Sequence, residues 1–195
     1  METARLETFS DGVFAIAATL LILDVRVGDR ALGHELLHAW PQYAAYAVSF
    51  LTIGIMWVNH HTVFRQIGRV DRTFLFLNVA FLMLVAFIPF PTRLLAEHLR
   101  GDGGRAAALA YGITLTSTAV LYGSLWFYAA TGRRLIAADA DQRTVTGISR
   151  SFLPGSFAYG TATLSAFASP YLAAALYAAI ALFYVLESSI FGREG

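Results

Sequence analysis

The chain of 195 residues is 57% apolar and only 14% charged, with a net charge of +1 and a mean hydropathy of +0.58, a balance that ordinary soluble domains do not show. It reads as an integral membrane protein. All 14 basic side chains are arginine and none belongs to a run able to follow a nucleic-acid backbone, which argues against nucleic-acid binding; the absence of cysteine excludes disulfides, thiolate metal sites and cysteine nucleophiles.

The N-terminus does not have the form of a cleavable signal. Its first eleven residues carry Glu2, Arg5, Glu7 and Asp11, and no small-residue cleavage site follows. The first hydrophobic segment is therefore expected to remain in the mature protein. Crossing about 30 Å of hydrocarbon as a helix takes about twenty apolar residues, and six spans are predicted: Leu6 to Val25, Tyr43 to Phe64, Thr73 to Leu95, Ala106 to Ala130, Phe152 to Ala168 and Tyr171 to Phe191. The expected fold class is all-α, a polytopic membrane protein in which residues 1–195 form one six-helix transmembrane domain.

Pro89 and Pro91 are expected to bend or open the last turn of the third span. Pro154 and Pro170 sit near the predicted starts of spans five and six, with Ser151 and Ser169 as caps just before them. The longest polar stretch, Thr131 to Arg150, reads as a solvated connection. Counting arginines in the loops sets the orientation. With the N-terminus inside, nine (Arg5, Arg65, Arg69, Arg72, Arg133, Arg134, Arg143, Arg150 and Arg193) fall in the cytoplasm and five (Arg26, Arg30, Arg93, Arg100 and Arg105) outside, so both termini are expected to be cytoplasmic.

The first span contains the most informative feature, Asp11, because a carboxylate inside a membrane helix costs several kcal/mol, of order 3, unless it faces protein or water. At 100° per residue, Phe9, Gly12, Ile16, Thr19, Leu20, Leu23 and Val27 share one stripe. Asp11 points to the opposite side. An ordinary packing face gives the same stripe as a pore lining, and periodicity does not separate the two. Candidate partners for Asp11 and Ser10 are Trp57, Asn59, His60 and His61 late in span two and Asn78 early in span three, all at similar depth. The adjacent histidines point 100° apart and are poor joint metal ligands, which favours structural hydrogen bonding.

His34, Glu35 and His38 match the zinc-hydrolase pattern H-E-x-x-H, in which two imidazoles bind zinc and the glutamate activates water. The context is poor: the motif lies in a short outer loop just before Pro41, and the available third ligands are Glu97 and His98 in the next outer loop. No nucleophile elbow or phosphate-binding glycine loop is present.

Arg5, then Phe9, Ser10 and Asp11, followed by Gly12 to Asp24, resembles the signature of the bacterial homologues of transmembrane protein 175, the endosomal and lysosomal potassium channel family. Trp57, Asn59, His60, His61, Asn78 and the Pro89, Phe90, Pro91 segment also resemble the family pattern, and the resemblance extends over essentially the whole chain. It implies six helices per subunit and a homotetramer in the lipid bilayer, with a central pore lined by the first helix. It further implies a potassium-permeable channel of modest selectivity, passing potassium and other monovalent cations, with no cofactor and no enzymatic activity, in the bacterial inner membrane. The pore constriction then maps onto Ile16, Leu20 and Leu23, with Thr19 as a hydroxyl layer, and Arg5, Phe9, Ser10 and Asp11 act as a structural lock. No T-V-G-Y-G-like filter is present, so selection must come from side chains. Asp24 either adds negative potential at the outer mouth or pairs with Arg26 or Arg30. Two competing readings are a membrane-embedded zinc hydrolase using His34, Glu35 and His38 and a small secondary transporter, against which stands the lack of a second copy of the first-helix motif.

Overall fold

The computed structural model describes residues 3–25 and 36–191, with side chains through residue 186. Helix α1 (Thr3–Leu20) runs into a 3₁₀ turn over Leu21–Asp24. Next come α2 (Trp40–Phe64), α3 (Arg72–Phe87), α4 (Pro89–His98), α5 (Gly104–Ala130), α6 (Gln142–Ser165) and α7 (Pro170–Phe191). The described residues contain no strand, in keeping with the all-α expectation.

Three helical stretches are long and apolar enough to cross a membrane by length and composition: Thr3–Asp24, Arg72–His98 and Gly104–Arg133. Pro170–Leu186 is a shorter apolar helix. The helix α2 is diluted by polar residues, among them Ser49, Thr52, Asn59, His60, His61 and Thr62, several of which bond to other helices. The third predicted span breaks after Phe87, where Pro89 and Pro91 remove amide donors and α4 starts afresh. At the break the Ile88 carbonyl accepts both the amide of Thr92, at 3.1 Å, and its hydroxyl, at 2.8 Å.

Span five differs from expectation. The helix begins ten residues before Phe152, at Gln142, capped by Asp141, whose carboxylate accepts from the Thr144 amide at 3.0 Å. Pro154 consequently lies inside α6, and Ser151 is an interior residue whose hydroxyl bonds back to Ile148. The polar loop is correspondingly shorter than Thr131 to Arg150, because its second half is helical. A charged, polar stretch hides a helix from a hydropathy reading even when a good N-cap precedes it. Ser169 does cap α7, accepting from the Leu172 amide at 3.3 Å.

The helix α1 packs against α2 and α3; α3 and α4 pack on α5; α6 lies along α5, and α7 closes the ring against α6, α5 and α2. The central helix is α5, with Tyr111, Leu115, Leu125 and Trp126 essentially inaccessible. Its Trp126 indole donates to Ser149 of α6 at 2.9 Å. Near its start, Gly112 lets Tyr177 of α7 and Thr163 of α6 converge: a Cβ there would collide with the Tyr177 hydroxyl, which instead donates to the Ala108 carbonyl at 3.2 Å.

At the end of the bundle holding the N-terminus, the α2–α3 and α5–α6 connections pair with each other. The amides of Gly68 and Ala137 donate to Leu135 and Gln66, and Arg69 donates twice to the Arg134 carbonyl, at 3.0 and 2.8 Å. Asp71 caps α3 by accepting from the Phe74 amide at 2.9 Å and takes the Tyr128 hydroxyl of α5 at 2.8 Å. The Phe74 amide, then the Tyr128 hydroxyl, hold the Asp71 carboxyl below its ordinary value of 3.8.

Two expectations follow. Gly112→Ala lowers stability by about 1–3 kcal/mol through overpacking, read as a lower thermal midpoint in detergent, and adding Tyr177→Phe recovers part of the loss. For Asp71, a lowered folded pKa means that its contribution is present above pH 3.8 and is lost as pH falls through the folded value. The midpoint of Asp71→Ala therefore lies below wild type at pH 7, and the gap closes on acidification below that range.

Candidate functional site

Ser10 is the buried centre of the first helix's polar face. Its hydroxyl donates to the Leu6 carbonyl at 2.8 Å and accepts the Asn78 amide of α3 at 3.0 Å. With the Asn78 nitrogen so used, its carbonyl oxygen is the acceptor for His60 of α2 at 3.1 Å, so His60 must carry its proton on Nε2. A directed chain results: His60 donates to Asn78, Asn78 to Ser10, and Ser10 to the backbone of its own helix. Ser10, His60 and Asn78 are all fully buried. The imidazole is clamped by aromatic rings, stacked on Phe64 at 4.0 Å with the edge of Phe14 at 5.4 Å, and its Nδ1 has no hydrogen-bond partner among the described residues.

Closer to the surface, Asp11 and Glu7 lie one turn apart on α1 and meet Trp57 and His61, one turn apart on antiparallel α2. The Trp57 indole donates to Asp11 at 2.9 Å, and His61 Nδ1 lies 2.9 Å from Glu7. Asp11 is thus half-buried with one indole partner, and the fully buried polar group is its neighbour Ser10. Glu7 was not among the candidates; its place one turn before Asp11 was the available signal. Asn59 is exposed and makes no hydrogen bond among the described residues.

The opposite face of α1 is bare within the chain. Phe9 is 56% exposed, Ile16 61%, Leu20 42% and Leu23 70%, whereas Phe14, Ala17 and Leu21 are buried. Thr19 and Arg5 are exposed too, and Arg5 makes no hydrogen bond or ion pair among the described residues. Of the four signature residues, Ser10 and Asp11 turn inward and Arg5 and Phe9 outward. The wheel assumed a regular helix to Val27, which lies outside the described residues. In fact the helix tightens to 3₁₀ after Leu20, and the three-residue repeat there keeps Leu23 directly above Leu20.

A second buried polar cluster, unpredicted, sits at the other end of the bundle. Ser49 of α2 bonds Thr92 of α4 at 2.8 Å and Tyr111 of α5 at 2.9 Å. Single hydroxyls scattered through three apolar spans leave no spacing signal.

His34 and Glu35 lie outside the described residues, as do Arg26 and Arg30. His38 is exposed, and no three His, Asp or Glu side chains converge as a metal set among the described residues. Asp24 has Arg93 of α4 as an electrostatic neighbour, and Arg93 is itself paired with Glu97 at 2.9 Å.

Residues 5–89, which carry both the lock and the exposed stripe, match the family model described as endosomal/lysosomal potassium channel TMEM175. Over 188 residues the chain is 45% identical to a potassium channel of Streptomyces collinus, covering 94% of this chain and 91% of that one. The chain belongs to the TMEM175 potassium channel family. A potassium channel of Chamaesiphon minutus is 41% identical over 194 residues, covering 96% of each protein. The crystal structure of a lysosomal potassium-selective channel TMEM175 homologue from the same genus and species superposes with a TM-score of 0.88 at 39% identity, over 96% of this chain and 98% of that one. As a TMEM175 family member the protein is a membrane channel and not an enzyme, and neither the zinc-hydrolase nor the transporter reading has support.

Within this TMEM175 fold the buried chain and the exposed pair carry different weights. Asn78→Leu strands the buried His60 N–H at about 1–3 kcal/mol and takes away the donor to the Ser10 oxygen, whose hydroxyl keeps its bond to Leu6; a large drop in the thermal midpoint and in the monodisperse fraction on size exclusion is expected. His61→Ala costs at most about 1 kcal/mol, as is usual for exposed pairs. Equal losses in the two variants would refute this ranking.

Proposed function

We propose that four copies of the chain surround a central axis in a bacterial inner membrane, both termini cytoplasmic, with residues 1–195 of each forming one six-helix transmembrane domain. The first helix of each faces the axis. The assembly conducts potassium and other monovalent cations with modest potassium preference.

The observation that carries this reading is the two-sidedness of α1. Its inner face is bonded to α2 and α3 through Ser10 and Asp11, while Ile16, Leu20 and Leu23 project away from their own subunit. Four such faces around an axis make rings of aliphatic side chains, too apolar to hold water when narrow, which is a gate by dewetting. Thr19 lies between them. Its hydroxyl hydrogen is given to the Ile16 carbonyl at 2.9 Å, which leaves the oxygen lone pairs free to accept a cation. Four such oxygens replace part of a hydration shell, and potassium gives up water more readily than sodium. One sparse ring without a carbonyl filter supports modest discrimination. Arg5 and Phe9, bare within the chain, are assigned to contacts with a neighbouring subunit or to the cytoplasmic vestibule.

The test uses purified protein in liposomes with potassium gradients, together with its mass in detergent. Ile16→Asn and Leu23→Asn are each expected to raise the potassium leak about tenfold or more by wetting the constriction, with tetramers retained. A wild-type protein that passes no cation, or unchanged leak in both variants, would sink the pore assignment.

A further inference from the structure

Between α2 on one side and α5, α6 and α7 on the other lies a cleft of 960 Å³, at the large end of the range for small-molecule sites, about 300–1,000 Å³. Its walls are apolar and rich in rings, including Phe81, Tyr122, Phe152 and Tyr159. Among the described residues that line it, Asp11 is the single charged side chain; no arginine or histidine faces it. One Asp11 oxygen is engaged by the Trp57 indole, and the other makes no hydrogen bond among the described residues. Trp57 lines the cleft beside it. Tyr122, on the far wall, has a buried hydroxyl with no hydrogen-bond partner among the described residues.

A carboxylate at the rim of an aromatic cavity without a countercharge is complementary to one class of guest. The negative faces of Trp and Tyr rings attract cations, and the carboxylate repels fatty-acid and phosphate head groups. An apolar body around a single delocalised or alkylated positive charge satisfies both the charge and the walls. We infer that the cleft is a binding site for a lipophilic organic cation, its charged centre at Asp11 and Trp57 and its apolar groups against the rings of α3, α5 and α6. The site lies within one chain, so its fate is separate from that of the pore assignment.

The experiment is equilibrium dialysis of the purified full-length protein, in a non-ionic detergent, against tetraphenylphosphonium and its anionic counterpart of the same shape, tetraphenylborate. Two variants fill the cleft from facing walls. At Gly54 of α2, which lines it, an added Cβ meets nothing within 4 Å, so Gly54→Leu grows into open space, and Ala119→Leu adds bulk at a half-buried lining position of α5. Expected are one phosphonium per chain, at least tenfold weaker uptake of the borate, and at least tenfold weaker phosphonium binding in each filled variant that elutes as wild type on size exclusion. Equal binding of the two ions, one phosphonium per oligomer, undiminished binding in the filled variants, or no phosphonium binding overturns the proposal. If one variant does not fold, the other decides.

Discussion

A polar group inside a membrane protein must find its partner within the protein, and in the chain from His60 Nε2 through Asn78 and Ser10 to the Leu6 carbonyl three helices meet that requirement at one buried point. Every donor along it has an acceptor and the direction is unique, because Asn78 has one amide nitrogen and one oxygen to give. The three residues come from three helices. The angle of α1 is thereby tied to α2 and α3 at a buried point, and the face that remains outside follows from it. Asp11 with Trp57 and Glu7 with His61 repeat the same α1–α2 register nearer the surface, where water competes and each bond contributes less.

The rest of the bundle meets the same requirement differently at its two ends. Where α3 gives way to α4, two prolines interrupt the backbone ladder and a hydroxyl cluster sits beside the break: Thr92 donates to the Ile88 carbonyl and joins Ser49, which joins Tyr111. At the end holding the N-terminus, backbone amides of two loops pair directly, and Asp71 links a helix cap to α5. Around α5, close approach goes together with hydrogen bonding: Gly112 admits Tyr177 and Thr163 where any side chain would stand in their way, and Tyr177 donates to the Ala108 carbonyl. Outside this packing lie the bare stripe of α1 and the aromatic cleft, the two surfaces to which we propose function.

How much was legible depended on the kind of signal. Asp11 announced itself because charge in a hydrophobic run is costly, and the residues that bond the polar face of the first helix, Trp57, His61 and Asn78 with His60 behind it, were recognisable among the other polar residues at one depth. Which bonds to which was not legible. Ser10, not Asp11, anchors the buried chain, and Asp11 takes the indole while the overlooked Glu7 takes His61. Adjacent residues on a helix diverge by 100°, so a small rotation of α1 reassigns every partner, and only packing sets that rotation. The early start of α6 was missed for a related reason: Gln142 to Arg150 is polar, and hydropathy sees only the apolar half of a helix that extends beyond the apolar region.

By itself the sequence determined the membrane setting, the helical class, the break at Pro89 and Pro91, and the stripe of Ile16, Thr19, Leu20 and Leu23, because hydrophobic length, missing amide donors and helical period are local properties. The family likeness was equally present in a short signature and a few polar residues. Tertiary structure alone decided the direction of the His60–Asn78–Ser10 chain and the division of the signature into inward Ser10 and Asp11 and outward Arg5 and Phe9. It also decided the shift to a 3₁₀ turn that keeps Leu23 over Leu20, and the cleft with one carboxylate on its wall. These depend on how helices rotate and approach one another, which is settled by long-range packing and by the satisfaction of buried polar groups.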